Sequence, residues 1–252
     1  MTRRPTAAGS DGRTPRIAVV VPRAAARRRR AGRVVVGVSG ASGAAYATRL
    51  LELLLDGGHE VHLVVTEFGR RLLSEELGIK RLDLESLVPT LNRPENGLRH
   101  GPRTGAGLPT RRLIVHPHKD VGAVIASGSF LHDGMVVIPC SSAALGYIAT
   151  GSGLNLLARA AAVTLKERRP LILVHRETPL SLIDIENMRR VTLAGGIIAP
   201  ANPGFYLGPK SVGDLVDFVV AKVLDLLKIE HDLKNRWAEH LTAHRAQAVT
   251  AD

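Results

Sequence analysis

Residues Arg33 to Tyr46 read RVVVGVSGASGAAY, and this stretch limits the fold more than any other in the chain. Val34 to Val38 is a short, nearly unbroken apolar run. It has the length of a strand and the pattern of one buried on both faces. Five small residues follow, Ser39-Gly40-Ala41-Ser42-Gly43. A helical pattern then carries Leu50, Leu53 and Leu54 on one side. Strand, glycine-rich turn and helix in that order open a parallel α/β sheet. The unpaired amides of the first helical turn and the helix dipole favour an anion there, which points to a phosphorylated ligand of the nucleotide or flavin class. The spacing narrows this further. Gly37, Gly40 and Gly43 give G-x-x-G-x-x-G, not the dinucleotide fingerprint G-x-G-x-x-G. Ala41 breaks the G-x-S-x-G of a hydrolase nucleophile. The hydroxyls of Ser39 and Ser42 are left for ligand binding.

The rest of the chain repeats the alternation. Strands are expected at Val34–Val38, His59–Thr66, Leu113–Val115, Gly134–Pro139, Pro170–Val174 and Gly196–Ala199. Helices are expected at Ala44–Leu55, Phe68–Leu77, from Ser141 to Ala149, Leu156–Arg168, Pro179–Leu193 and Val212–Leu227. Residues 79–112 hold four Pro and several Gly and read as an irregular surface excursion. The fold class is therefore α/β, a three-layer flavodoxin/Rossmann-like parallel sheet with helices on both faces in a single domain.

Net charge is +11, which suggests nucleic acid until the charge is located. Ten Arg and one Asp fall within residues 1–33, so the remainder carries only +2. The organisation expected is an Arg-rich disordered extension over 1–32, one domain over 33–240 and a disordered tail over 241–252. The extension fits a passive segment, an organelle-targeting segment or a polyanion-binding arm. A nucleic-acid role for the body is disfavoured. No run is apolar enough to span a membrane, so a soluble cytoplasmic protein is expected. Cys140 is the only cysteine, and the ten His lack metal-ligand spacing, so no metal site is expected.

In sheets of this kind ligands bind at the carboxyl ends of the strands. Ser39 to Ser42, Thr66, Cys140-Ser141-Ser142, His175-Arg176-Glu177-Thr178 and Pro200 to Tyr206 all follow strands. N-capping accounts for some of the hydroxyls. It does not account for Arg176 beside Glu177 directly after a buried strand. Arg159 sits among Leu156, Leu157, Ala160 and Ala161, which suggests a partly enclosed cation in need of an anion; Lys166 lies seven residues on, along the same face.

Gly37-x-Ser-Gly-Ala-Ser-Gly43, Pro139-Cys-Ser141, Ala160 to Leu171 (AAAVTLKERRPL), Arg176-Glu-Thr-Pro179, Glu186-Asn-Met188, Pro203-Gly-Phe-Tyr206 and Arg236-Trp237 occur in order. Together they resemble the UbiX-type flavin prenyltransferases from about residue 33 to about 238. The resemblance implies a flavodoxin-like homo-dodecamer with FMN between subunits. It implies transfer of a dimethylallyl group from dimethylallyl monophosphate to N5 and C6 of reduced FMN, without a metal. The prenylated FMN would serve a partner UbiD-type decarboxylase. By the same resemblance Gly40, Ala41, Ser42, Thr66, Ser141, Ser142, Ala143, Ala144 and Arg176 contact FMN, and Arg159, Lys166, Tyr206 and Lys222 bind the prenyl phosphate. Glu177 is the acid/base at that phosphate, Ser42 with Glu76 relays the proton lost on ring closure, and Trp237 faces the allyl cation. His175 departs from the aliphatic or Pro residue usual before the Arg-Glu pair. Two other functions fit the same fold: an FMN-dependent cysteine-type decarboxylase and a non-catalytic flavin-binding subunit.

Overall fold

A computed structural model of the protein describes residues 31–92 and 112–233. The Val run becomes β1 (Arg33–Val38), the centre of a sheet whose side chains are buried on both faces. The other strands are β2 (Glu60–Val65), β3 (Leu113–His116), β4 (Gly134–Cys140), β5 (Leu171–His175) and the short β6 (Ile197–Ile198). All pair in parallel in the order β3-β2-β1-β4-β5-β6. Without β3 the order is that of flavodoxin; β3 extends it at the β2 edge to the Rossmann order. The chain winds outward from β1 in one direction and from β4 in the other, so a crevice opens between the carboxyl ends of β1 and β4.

Alternation along β1 assigns the two layers. Val34, Val36 and Val38 pack with α1 (Ala44–Asp56), Leu73 of α2 (Glu67–Leu77) and α7 (Val212–Leu226). Val35 packs on the opposite side with α4 (Ser142–Ala149), α5 (Leu156–Lys166) and Val191 of α6 (Leu182–Leu193). Burying these Val, Leu and Ile side chains contributes roughly 1.5–3 kcal/mol each before entropy is counted. The expected three-layer α/β architecture is what forms.

Two expectations change. The excursion after α2 is not irregular throughout. Asp83 caps a short helix, α3 (Leu84–Leu87), by accepting from the Ser86 amide, and a 3-10 turn follows at Pro89–Asn92. Leu84, Leu87 and Val88 are buried in the β1–α1 core, because their apolar spacing gives the segment a face to bury. The rest of that excursion, 93–111, lies outside the described residues, as do the extension up to residue 30 and the tail from 234. Helix α6 begins at Leu182, not at Pro179. Ser181 accepts from the Asp184 amide, and Asp184 accepts from the Ser181 amide, a reciprocal box that sets the start. Among the described residues no helix is long and apolar enough to cross a membrane.

Candidate active site at the sheet crevice

The loop after β1 is fixed from two sides. Ser39 is 2% exposed; its hydroxyl donates to Pro139 O (3.0 Å) and accepts from the Ser141 amide (2.8 Å). The Ser39 amide also donates to Pro139 O. Ser39 is therefore a clamp between β1 and β4 and not a ligand group, which corrects its reading as a free hydroxyl. On the other side, Gly69 in the first turn of α2 lies against β1: a Cβ there would stand 2.7 Å from Val38 O. Gly43 has φ +117°, a conformation that side chains resist, and lets the Tyr46 ring fold back over the turn.

The first turn of α1 is already occupied. The Glu76 carboxylate, from α2, accepts from the Gly43 amide (3.0 Å) and the Ala44 amide (2.8 Å), and the neighbouring Ser42 hydroxyl stabilises its charge. An acidic side chain fills the place expected for a phosphate, so the first-turn amides of α1 are not an open anion cradle. Burial alone would raise the Glu76 pKa. The bonds from Ala44 and Gly43, with the Ser42 hydroxyl and the charge of Arg176, outweigh it and hold the carboxyl below the usual glutamate range. The same Arg176 charge acts on the Tyr46 phenol, whose pKa burial raises. The charge of Arg176 thus reaches both Glu76 and Tyr46, and Tyr46 was not marked by any sequence signal beyond its place after the loop.

A depressed carboxyl pKa stabilises the fold above the ordinary glutamate range, and the stabilisation is lost as pH falls through the folded value. Glu76 is exposed and screened, so the amount at neutral pH is below about 1 kcal/mol. Glu76→Gln is expected to flatten the acid limb of a plot of melting temperature against pH, with little change at neutral pH. An acid limb unchanged by the substitution would show that Glu76 does not cap α1.

Across the crevice, Thr66 caps α2 by accepting from the Gly69 amide (3.1 Å), and Ser141 caps α4 by accepting from the Ala144 amide (3.3 Å). Ala144 is buried in the core, whereas Ala143 is exposed and Ser142 half-buried at the helix start. Gly40 and Ala41 line the loop between them, Ala41 buried and Gly40 against Phe68. Arg176 and Glu177 follow β5 and are exposed; Glu177 accepts from the Thr178 amide (3.0 Å). The bonds Ile138–Pro139 and Thr178–Pro179 at these strand ends are cis. Hydroxyls, amides, one guanidinium and small side chains around an open crevice suit a flat heteroaromatic ring bearing a phosphate. Among the described residues no group of three His, Cys, Asp or Glu could hold a metal ion.

The cations expected at a prenyl phosphate are spread out. Arg159 is exposed, not enclosed: it stands on the outer side of α5 while Leu156, Leu157, Ala158 and Ala160 are buried. Lys166 lies two turns further along α5, about 10 Å away along the axis. It is paired with Glu167 beside Gly128, toward the amino ends of the strands. Lys222 is exposed on the second half of α7, whose end packs at Gly134, the start of β4. Tyr206 is half-exposed and meets Phe218 of α7 edge to face at 5.6 Å. Within one protomer these four do not gather at the crevice. Trp237 lies outside the described residues.

The sequence profile of the Flavoprotein family matches residues 22–224. The chain is 44% identical over 209 residues to flavin prenyltransferase UbiX of Halalkalibacterium halodurans, covering 83% of this chain and 95% of that protein. It is 40% identical to flavin prenyltransferase UbiX of Pseudomonas aeruginosa, covering 84% and 97%. Among solved structures it is similar to AnUbiX (PadA1), crystallised with FMN and dimethylallyl pyrophosphate: TM-score 0.69, 36% identity, 82% of this chain and 98% of that one. A dodecameric FMN-dependent UbiX-like decarboxylase from Escherichia coli O157:H7 matches with the same TM-score and identity over 81% and 98%. With a parallel sheet wound about a β1–β4 crevice and similarity along nearly the whole of these proteins, the chain belongs to the Flavoprotein family and, within it, to the UbiX-type flavin prenyltransferases.

Proposed function

We propose that the protein transfers the dimethylallyl group of dimethylallyl monophosphate to N5 and C6 of reduced FMN. The prenylated FMN would be delivered to a UbiD-type decarboxylase. The observation that carries this reading is the crevice itself, with the Glu76 carboxylate on the Gly43 and Ala44 amides after β1 and Arg176 held beside it in the sheet order, its amide on Cys140 O at the end of β4. In the reaction the carbon–oxygen bond to phosphate breaks and a bond from flavin N5 to the freed allyl carbon forms. A second bond, from C6 to the tertiary carbon of the allyl double bond, then closes the ring: that double bond takes up one proton at its other carbon, N5 and C6 each give one up, and the one net proton leaves with the phosphate.

Each role follows from chemistry available at the crevice. Arg176 supplies positive charge to an anionic flavin and its phosphate. Gly40, Ala41 and Ala143 are small enough to admit a flat ring, and Thr66, Ser141 and Ser142 line its polar edges. Glu177, one residue on, gives a proton to the departing phosphate and takes one back. Glu76, ionised and next to Ser42, accepts the proton released on ring closure through the Ser42 hydroxyl. Arg159, Lys166, Tyr206 and Lys222 offer three cations and a phenol for the phosphate. Their separation in one protomer fits a site completed by a second copy, as a homo-dodecamer would provide, with Trp237 at the allyl group.

The test is release of inorganic phosphate from dimethylallyl monophosphate under anaerobic conditions, with and without reduced FMN. Release that requires the reduced flavin is expected. No release, or release indifferent to flavin, would overturn the reading, and the diphosphate run in parallel identifies the preferred donor.

A further inference from the structure

We propose that His175 is a positioning residue that fixes the Ser142 hydroxyl as a hydrogen-bond acceptor toward the ligand, through a directed chain from His175 Nε2–H to Ser142 Oγ–H to the Asp184 carboxylate. The proposal rests on the crevice being the flavin site, and it assigns a direction to one hydroxyl of that site.

The three groups come from three elements. His175 ends β5, pairs with Cys140 of β4 across the ladder and is 2% exposed. Its Nε2 lies 3.3 Å from Ser142 Oγ at the start of α4. Asp184, in the first turn of α6, is 6% exposed. It accepts from the Ser181 hydroxyl (2.6 Å) and amide (3.0 Å), and the neighbouring Ser142 hydroxyl stabilises its charge. The Ser142 hydroxyl, then the bonds from Ser181 and the charge of His175, hold the Asp184 carboxyl below its ordinary range against burial, so it is ionised at neutral pH. Burial pushes the His175 imidazole down, opposed by Asp184 and Glu177, which leaves it neutral at neutral pH.

Donor inventory then sets the direction. An ionised carboxylate only accepts, and a serine hydroxyl has one proton. The charged acceptor takes that proton in preference to a neutral ring nitrogen. Ser142 oxygen therefore faces His175 as an acceptor, and a neutral His175 meets it only with the proton on Nε2. What Ser142 has left for the crevice is a lone pair. The matching ligand group is an N–H on the edge of a flavin ring; a carbonyl there is repelled. The Ser181-x-x-Asp184 spacing that marks the helix start thus also supplies the anchor of the chain.

The test uses the full-length protein. In ¹⁵N-histidine-labelled protein the His175 ring, identified by its loss in His175→Gln, is expected to show the Nε2–H tautomer. FMN affinity is read by fluorescence quenching. His175→Leu is expected to weaken it about three- to tenfold, the scale of one hydrogen bond. His175→Gln, with an amide donor at similar reach, is expected to restore it. In Ser142→Ala the further change His175→Leu is expected to add nothing. An Nδ1–H tautomer, wild-type affinity in His175→Leu, or additive losses in the double variant would each overturn the proposal. If the Leu variant does not fold, the tautomer and the Gln variant decide. Absence of FMN binding by the wild type would sink the flavin reading, and the ring signals would still decide the hydrogen-bond chain.

Discussion

Glu177→Gln is expected to slow prenyl transfer by about 10²- to 10⁴-fold, the usual contribution of a positioned acid/base, with FMN affinity unchanged. Glu177 is exposed just after β5 and accepts from the Thr178 amide. Its side chain stands in solvent, so the neutral variant keeps the fold. Gln retains the size and the acceptor for Thr178 but cannot shuttle a proton to phosphate. The measurement is single-turnover formation of modified flavin alongside an FMN titration. Equal rates in variant and wild type would remove Glu177 from the chemistry; a parallel loss of FMN binding would move its role to the flavin.

The second large effect concerns stability. Ser39→Ala is expected to destabilise the protein by about 1–3 kcal/mol, because the Ser141 amide loses its acceptor in a dry place. Pro139 O keeps the Ser39 amide as a partner, so the penalty falls on Ser141, the cap of α4. Ser142 stands next to that cap, so FMN affinity is expected to fall as well. Ser39→Thr keeps the hydroxyl and is expected to lose less. Ser42→Ala, three residues on, is expected to leave stability within about 0.5 kcal/mol and to slow ring closure instead. Denaturant unfolding separates the two serines; equal stability of Ser39→Ala and wild type would contradict the clamp.

These two serines also mark how far the sequence could be read. The Val run, the glycine turn and the leucine spacing of α1 are local patterns, and they led correctly to the parallel sheet and to a crevice beyond the strand ends. The roles of Ser39 and Ser42 depend on partners far along the chain, Pro139 and Ser141 for one and Glu76 for the other. Spacing alone does not distinguish them. The same limit applies at the α1 N-terminus: a free anion cradle is the local expectation, and a carboxylate thirty-two residues from Ala44 fills it. Leu84, Leu87 and Val88 were hidden by the Pro and Gly around them, although their apolar spacing was the available signal. The residues expected around the flavin ring were named through motifs, and they stand in the loops and helix starts that follow the strands. Arg159, Lys166, Tyr206 and Lys222 share a motif-based role but no common place in one protomer, because helices α5 and α7 carry the lysines away from the crevice.

The central claim is that this chain alkylates reduced FMN. The most direct measurement is mass spectrometry of flavin extracted after anaerobic incubation of the protein with reduced FMN and dimethylallyl monophosphate. The account predicts a flavin heavier by one prenyl unit, formed only when protein and both substrates are present. Unmodified FMN recovered from protein that binds it tightly would contradict the account and favour a flavin-binding or decarboxylating role for the same crevice.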